Sequence, residues 1–278
     1  MKSRRYLMDK VLIYLTFVCV VIAIVPLASI VYYVSLRGIP AMNLDFFTML
    51  EPTALPGAVG GLGNAIQGTL ILVGLAACFG IPIGVFVGVY IAEYGNNFFG
   101  RTVRFLGDVL VGNPSIVVGI LGFTLIVLPL HNYSVTAGAF ALAVIMIPIV
   151  SIATAEALKL VPNSIREASF ALGIRRWRTT LLVIANAKGG VATGVLLATA
   201  RVMGETAPLL LTVGSSTLWY DGPRQPVASL TYYIYSYALE AWKSYQSLAW
   251  GAAFFLIVMV MGINVAVRLM TRRKSTRV

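Results

Sequence analysis

The sequence predicts an all-α integral membrane protein of six transmembrane helices, with both termini cytoplasmic and a single transmembrane domain over residues 1–278. Three observations carry that class. Apolar residues fill 59% of the 278 positions and charged residues 11%, against about 45–50% and about 25% in soluble domains. Six apolar stretches, at 11–36, 65–92, 107–130, 134–158, 190–213 and 247–270, offer the ~20 helical residues needed to cross hydrocarbon. The basic residues gather in alternate connections. Lys2, Arg4, Arg5 and Lys10 precede the first stretch, and Arg101 and Arg104 follow the second. Lys159, Arg166, Arg175, Arg176, Arg178 and Lys188 follow the fourth, and Arg268, Arg272, Arg273, Lys274 and Arg277 close the chain. The opposite side holds Arg37, Arg224 and Lys243. Excess Lys and Arg marks cytoplasmic connections, so an even number of spans puts both ends inside.

The first stretch is too long for a signal-peptide core and more spans follow it, so it reads as a retained helix. The second contains GIPIGVFVG, in which Gly80, Gly84 and Gly88 form a smooth ribbon for close helix packing and Pro82 interrupts one backbone bond. The third contains GNPSIVVG. Asn113 as cap and Pro114 at the first helical position predict a helix start in or near the membrane, opening on Ser115. That is either a kink or a helix N-terminus presented to an anion. Asp108 and Glu93 read as residues at span ends. Tyr32, Tyr33, Trp219, Tyr220, Tyr232, Tyr233 and Tyr235 group toward the outer interface, as aromatic belts do.

After the fourth stretch comes a cytoplasmic connection of about 159–189. Ser164 and Glu167 have capping-box spacing, which predicts a helix from near Ile165, and Gly173 ends it in a left-handed cap. This short helix exposes Phe170 and Leu172, flanked by Ala168 and Ala171. It either lies on anionic lipid through Arg175, Arg176 and Arg178 or docks on a soluble partner.

The fifth stretch holds ARVMGETAPLLLT. Arg201 and Glu205, four apart, share one face of a continuous helix. A charge at bilayer centre costs about 2.5–3.5 kcal/mol on insertion scales, so both residues must face protein or water. They form either a pair that locks helices together or a restrained cation for a passing anion, because the guanidinium fork matches two oxyanion oxygens. Pro208 cannot donate to the carbonyl of Gly204, which predicts an opened backbone beside Glu205.

Several functions are disfavoured. The net charge of +11 is explained by topology, and no RNA-binding motif accompanies it. Cys19, Cys78 and His131 make no metal or disulfide pattern. No HExxH, GxSxG or paired-carboxylate arrangement suggests an enzyme, and no Walker A motif is present.

The run EASFALG with its Arg-rich turn and Trp177, followed by TGVLLATARVMGETAPLLLT, resembles the EAA loop and next helix of ABC importer permeases. GTL, PIG and YIAEY in the second stretch and NPSIVVGI in the third fit the same family in the same order. The resemblance extends over most of the chain. GETAPLLLT narrows it to one of the two permeases of phosphate importers, as distinct from the PstC type. One departure is ANAKGG, where the family carries prolines.

The resemblance implies a type I importer permease in the inner membrane that moves inorganic phosphate. The alternatives are a permease for sulfate, molybdate or tungstate, or a membrane scaffold or signalling subunit. It implies four kinds of partner: a second permease resembling PstC, two ATPase subunits resembling PstB, an extracytoplasmic phosphate-binding protein resembling PstS, and membrane lipid. ATP and Mg would be held by the ATPase, leaving this chain without cofactor, metal site or catalytic residues. Glu167, Ala168, Phe170, Ala171, Leu172 and Gly173 would fit the ATPase surface. Arg201, Glu205, Asn113, Pro114 and Ser115 would line the substrate pathway.

Overall fold

The computed structural model describes residues 2–52 and 60–275. Of the basic flanks used above, the side chains of Lys2, Arg4, Arg5, Arg272, Arg273 and Lys274, and all of Arg277, lie outside the described residues. The chain opens with α1 (Lys2–Gly38) and α2 (Leu44–Thr48). Next come α3 (Gly63–Tyr94), α4 (Phe98–Val111) and α5 (Ser115–Gly122), and α5 continues through a π turn (Phe123–Val127) into α6 (Leu128–Leu130). The second half comprises α7 (Val135–Lys159), α8 (Asn163–Ala171), α9 (Arg176–Met203), α10 (Ala207–Thr212), α11 (Leu230–Ala238) and α12 (Lys243–Ser275). No strand occurs among the described residues.

Side-chain caps set several helix starts. Asn43 accepts from the backbone N–H of Phe46, Asn97 from Gly100, Ser134 from Ala137 and Ser229 from Tyr232. Each satisfies an N–H that the first turn leaves open.

Helix α7 is the centre of the bundle and packs on α3, α9, α4, α5 and α10. Its closest neighbour is α3, for the reason the glycine ribbon suggested. A Cβ on Gly84 would stand 2.7 Å from Cβ of Val150, and one on Gly88 2.6 Å from Cβ of Thr154. Small residues let the two backbones approach, which is the main source of helix association in lipid. Leu72, Leu142, Met146, Val150 and Val202 close this core. A second core joins Phe46, Leu62, Tyr233 and Ala252. Helix α1 stands apart, touching α12 through Tyr33 on Trp250.

Five helices are long and apolar enough to cross a membrane, and α4 with α5–α6 makes a sixth if that pair, bent by 102°, counts as one span. Two expectations are corrected here. Residues 107–130 are not one straight helix: Gly112, Asn113 and Pro114 separate α4 from α5, so the helix start expected within this stretch is present, at Ser115. Pro114 is itself the cap of α5, and Asn113 makes no capping bond. Residues 190–213 are not one helix either. Helix α9 starts far earlier, at Arg176, because ANAKGG contains no proline to stop it, and it ends at Met203. The aromatic belt is also only partial: Tyr32 and Tyr235 are exposed, whereas Tyr233 is fully buried.

Candidate functional site

Two regions carry the residues singled out by sequence. The first is the break between α9 and α10. The last turn of α9 closes with Gly204 N–H on the Arg201 carbonyl and Glu205 N–H on that of Val202. Glu205 and Thr206 are non-helical, and α10 then begins with Pro208 in its first turn, where a missing N–H costs nothing. The backbone therefore opens beside Glu205, as the proline suggested, but Glu205 stands just past the helix and not on its face. Arg201 still reaches it: Nε lies 3.6 Å from Glu205 Oε1. The Glu205 backbone is pinned from a third element, since Thr231 Oγ1 donates to its carbonyl at 3.0 Å. That bond joins two distant sequence segments and had no signal in the sequence.

Packing places this break at mid-depth. Gly190 and Gly194 of α9 lie against Ala157 and Ala153 of α7. Continuing that antiparallel register sets Arg201 opposite Met146, about 16 Å from the start of α7 and slightly farther from its end. Helix α5 reaches the same level. Its Gly122 packs at Ala137 and Ala141, so Ser115 lies about 10 Å deeper. Gly119 makes the approach possible, since a Cβ there would stand 2.8 Å from Cα of Pro208. The register thus brings the N-terminus of α5 level with Arg201 and Glu205. No hydrogen bond or ion pair among the described residues joins Asn113, Pro114 or Ser115 to that pair. The Arg201 side chain is 46% exposed on this chain and Glu205 14%. A half-open guanidinium, held at one edge by a carboxylate and level with a helix N-terminus, is suited to transient contact with an oxyanion.

The second region is the corner where α3, α7, α8 and α9 meet. Helix α8 begins at Asn163, two residues earlier than the capping-box spacing implied. Pro162 caps it without a side-chain bond, and Ser164 lies inside the first turn. Its end matches expectation. Gly173 has φ +73°, its N–H bonds the Phe170 carbonyl, and Ile174 N–H bonds that of Ser169, a full Schellman cap. One face of α8 is anchored: Ser169 is buried and Ile165 packs on Leu158, Val161 and Val183. The other face presents Glu167, Ala168, Phe170, Ala171 and Leu172 to the surrounding space. Two arginines counted above as topology signals take part in this anchoring. Arg166 pairs with Glu93 at 2.6 Å, and Arg176 Nη2 donates to the Glu93 carbonyl at 2.7 Å.

No group of three His, Cys, Asp or Glu able to hold a metal ion occurs among the described residues.

Comparison with known proteins now adds to this geometry. Residues 80–278 match the family described as binding-protein-dependent transport system inner membrane component. The chain is 40% identical over 269 residues to the phosphate transport system permease protein PstA of Haemophilus influenzae, covering 96% of this chain and 95% of the relative. It is 35% identical over 269 residues to the probable phosphate transport system permease protein PstA of Methanocaldococcus jannaschii, with the same coverages of 96% and 95%. Among solved structures, an inward-facing MetNI methionine ABC transporter chain superposes with a TM-score of 0.62 at 17% identity, covering 76% of this chain and 95% of that one. At that identity the likeness is one of fold.

Proposed function

The chain belongs to the family of binding-protein-dependent transport system inner membrane components, and from that premise we propose that it is a permease subunit of an ATP-driven importer of inorganic phosphate, forming half of the translocation pathway. The observation that carries this reading is the near full-length similarity, at 40% and 35% identity, to relatives named PstA. The chain is a multi-pass protein of the inner membrane, and ATP hydrolysis belongs to a separate subunit. Its partners are a second permease resembling PstC, two ATPase subunits resembling PstB and a phosphate-binding protein resembling PstS. Both termini face the cytoplasm, on the side of α8.

Arg201 meets phosphate in transit through its guanidinium fork. Glu205 draws one edge of that fork away and so limits how tightly the anion is held, because a transit site must release what it binds. The open N–H groups at Ser115 add a second, neutral contact. On the cytoplasmic side the exposed face from Glu167 to Gly173 docks on the ATPase, and closure of the ATPase rocks the helices around Arg201.

The test is co-purification of the chain with an ATPase subunit, followed by phosphate uptake in vesicles. Uptake that phosphate competes for, and that sulfate, molybdate and tungstate do not, is the expected result. Preferential competition by one of those three anions would overturn the substrate. Arg201→Ala lowers uptake by roughly ten- to a hundredfold, the worth of a hydrogen bond to a charged group, while the complex still assembles. Unchanged uptake by that variant would remove Arg201 from the pathway.

A further inference from the structure

Glu93 stands in the last turn of α3, where a carboxylate faces the negative end of the helix dipole. Helix stability alone does not call for an acid there. Its surroundings supply the reason. The side chain is only 8% exposed, and Arg166, itself 18% exposed, binds it through Nη2 at 2.6 Å and Nε at 3.2 Å. The same guanidinium donates to the carbonyls of Leu158 at 3.1 Å and Val161 at 2.9 Å, just where α7 ends. Arg176, the first residue of α9, donates to the Glu93 carbonyl and lies with its guanidinium 4.5 Å from the centre of the Tyr94 ring. Glu93 is therefore the point where the docking helix α8, the end of α7, the end of α3 and the start of α9 are tied together.

Without that tie, α8 is held by the packing of Ile165 and Ser169, by the short link at 160–162 and by the turn at Gly173, whose surroundings leave space on its open side, and no charged bond joins it to α3. A push on its exposed face would then be absorbed at these links. With the tie, the push reaches α3 directly, and α3 transmits it along the glycine ribbon into α7, while α9 carries it to Arg201.

We propose that Glu93, through Arg166, is a positioning residue for energy coupling: it makes the docking helix move the transmembrane bundle as one body. This rests on the proposed importer function.

The experiment uses the full complex in vesicles and measures uptake per ATP hydrolysed, together with co-purification of the ATPase. Glu93→Gln keeps the side chain's shape and removes its charge. The expected result is a complex that assembles and hydrolyses ATP but whose uptake per ATP falls at least about tenfold, within the range of a typical coupling energy. Arg166→Lys keeps the charge and loses the fork, and a smaller fall in the same ratio is expected. A wild-type ratio in an assembled Glu93→Gln complex would overturn the proposal. If Glu93→Gln fails to assemble, Arg166→Lys decides: a lowered ratio supports the tie and a wild-type ratio overturns it. Failure of both to assemble also overturns it, since the pair would then be a requirement of folding. The ratio is scored on whichever anion the wild-type complex carries, so an error in the substrate would show in the wild type and leave the ratio readable.

Discussion

In the proposed pathway, Arg201 and Glu205 serve both structure and passage. A guanidinium at mid-depth needs a counter-charge, yet a fully matched one would have no N–H groups left for an anion. The approach is a long 3.6 Å through Nε, and nearly half of the arginine side chain is open, which leaves guanidinium surface available. Placing the carboxylate in a backbone break, with its carbonyl tied to Thr231, fixes its position without engaging the guanidinium further. Replacing Glu205 by Gln should therefore free Arg201 to hold phosphate more tightly. The expected outcome in vesicles is a lower half-saturating phosphate concentration together with a lower maximum rate of uptake, because release becomes slower. A variant in which both constants rise would show that the carboxylate orients Arg201 and does not restrain it. The sequence made the charged pair and its proline visible but drew the pair on a continuous helix. Pro208 marked the opening, but the position of Glu205 past the helix end depends on packing against α5, α7 and α11, and no local pattern reports such distant contacts.

Among the helices, the seam between α3 and α7 shows which glycines matter. Gly80, Gly84 and Gly88 face α7, whereas Gly74 on the same helix has nothing within 4 Å of where a Cβ would stand. Gly84→Ala forces that Cβ against Val150 and should destabilise the chain by about 1–3 kcal/mol through overpacking. Gly74→Ala meets open space and should stabilise it by roughly 0.5–1 kcal/mol, since alanine is the better helix former. Thermal unfolding of the two purified variants in detergent checks both signs, and equal shifts would remove the seam's special status. The ribbon was legible because its period of four survives in any straight helix. The 102° turn between α4 and α5 was not, although Asn113 and Pro114 announced a helix start. Both flanking segments are apolar enough to pass as parts of one span, and composition does not encode direction. Likewise the partnership of Glu93 with Arg166 joins positions 73 residues apart, and each charge taken singly looks like an ordinary span-end residue.

At the scale of the whole molecule, the bundle has two chemically distinct ends. One carries α8, the Arg166–Glu93 tie and the Arg104–Glu156 pair. The other is closed by the segment before α11, where Asn64 and Tyr233 both donate to the Ser216 carbonyl and Tyr237 donates to Glu51 at 2.8 Å. Burial first, and then the Glu51 carboxylate, push the phenols of Tyr233 and Tyr237 well above their ordinary value, so both remain donors throughout the physiological range. From the excess of basic residues we propose that the α8 end faces the cytoplasm and the tyrosine-rich end faces outward. Cysteine labelling in intact cells tests this orientation. Cys19 and Cys78 lie exposed on apolar helices and are first replaced by alanine. Ser164 on α8 and Thr217 at the opposite end are both exposed, so each accepts a cysteine without entering a core. A membrane-impermeant thiol reagent should modify Thr217→Cys in intact cells and Ser164→Cys only after the cells are opened. Modification of Ser164→Cys in intact cells would invert the molecule. The proposed docking face of α8 would then lie on the side without ATP, and Arg166 and Glu93 would have no engine to be coupled to.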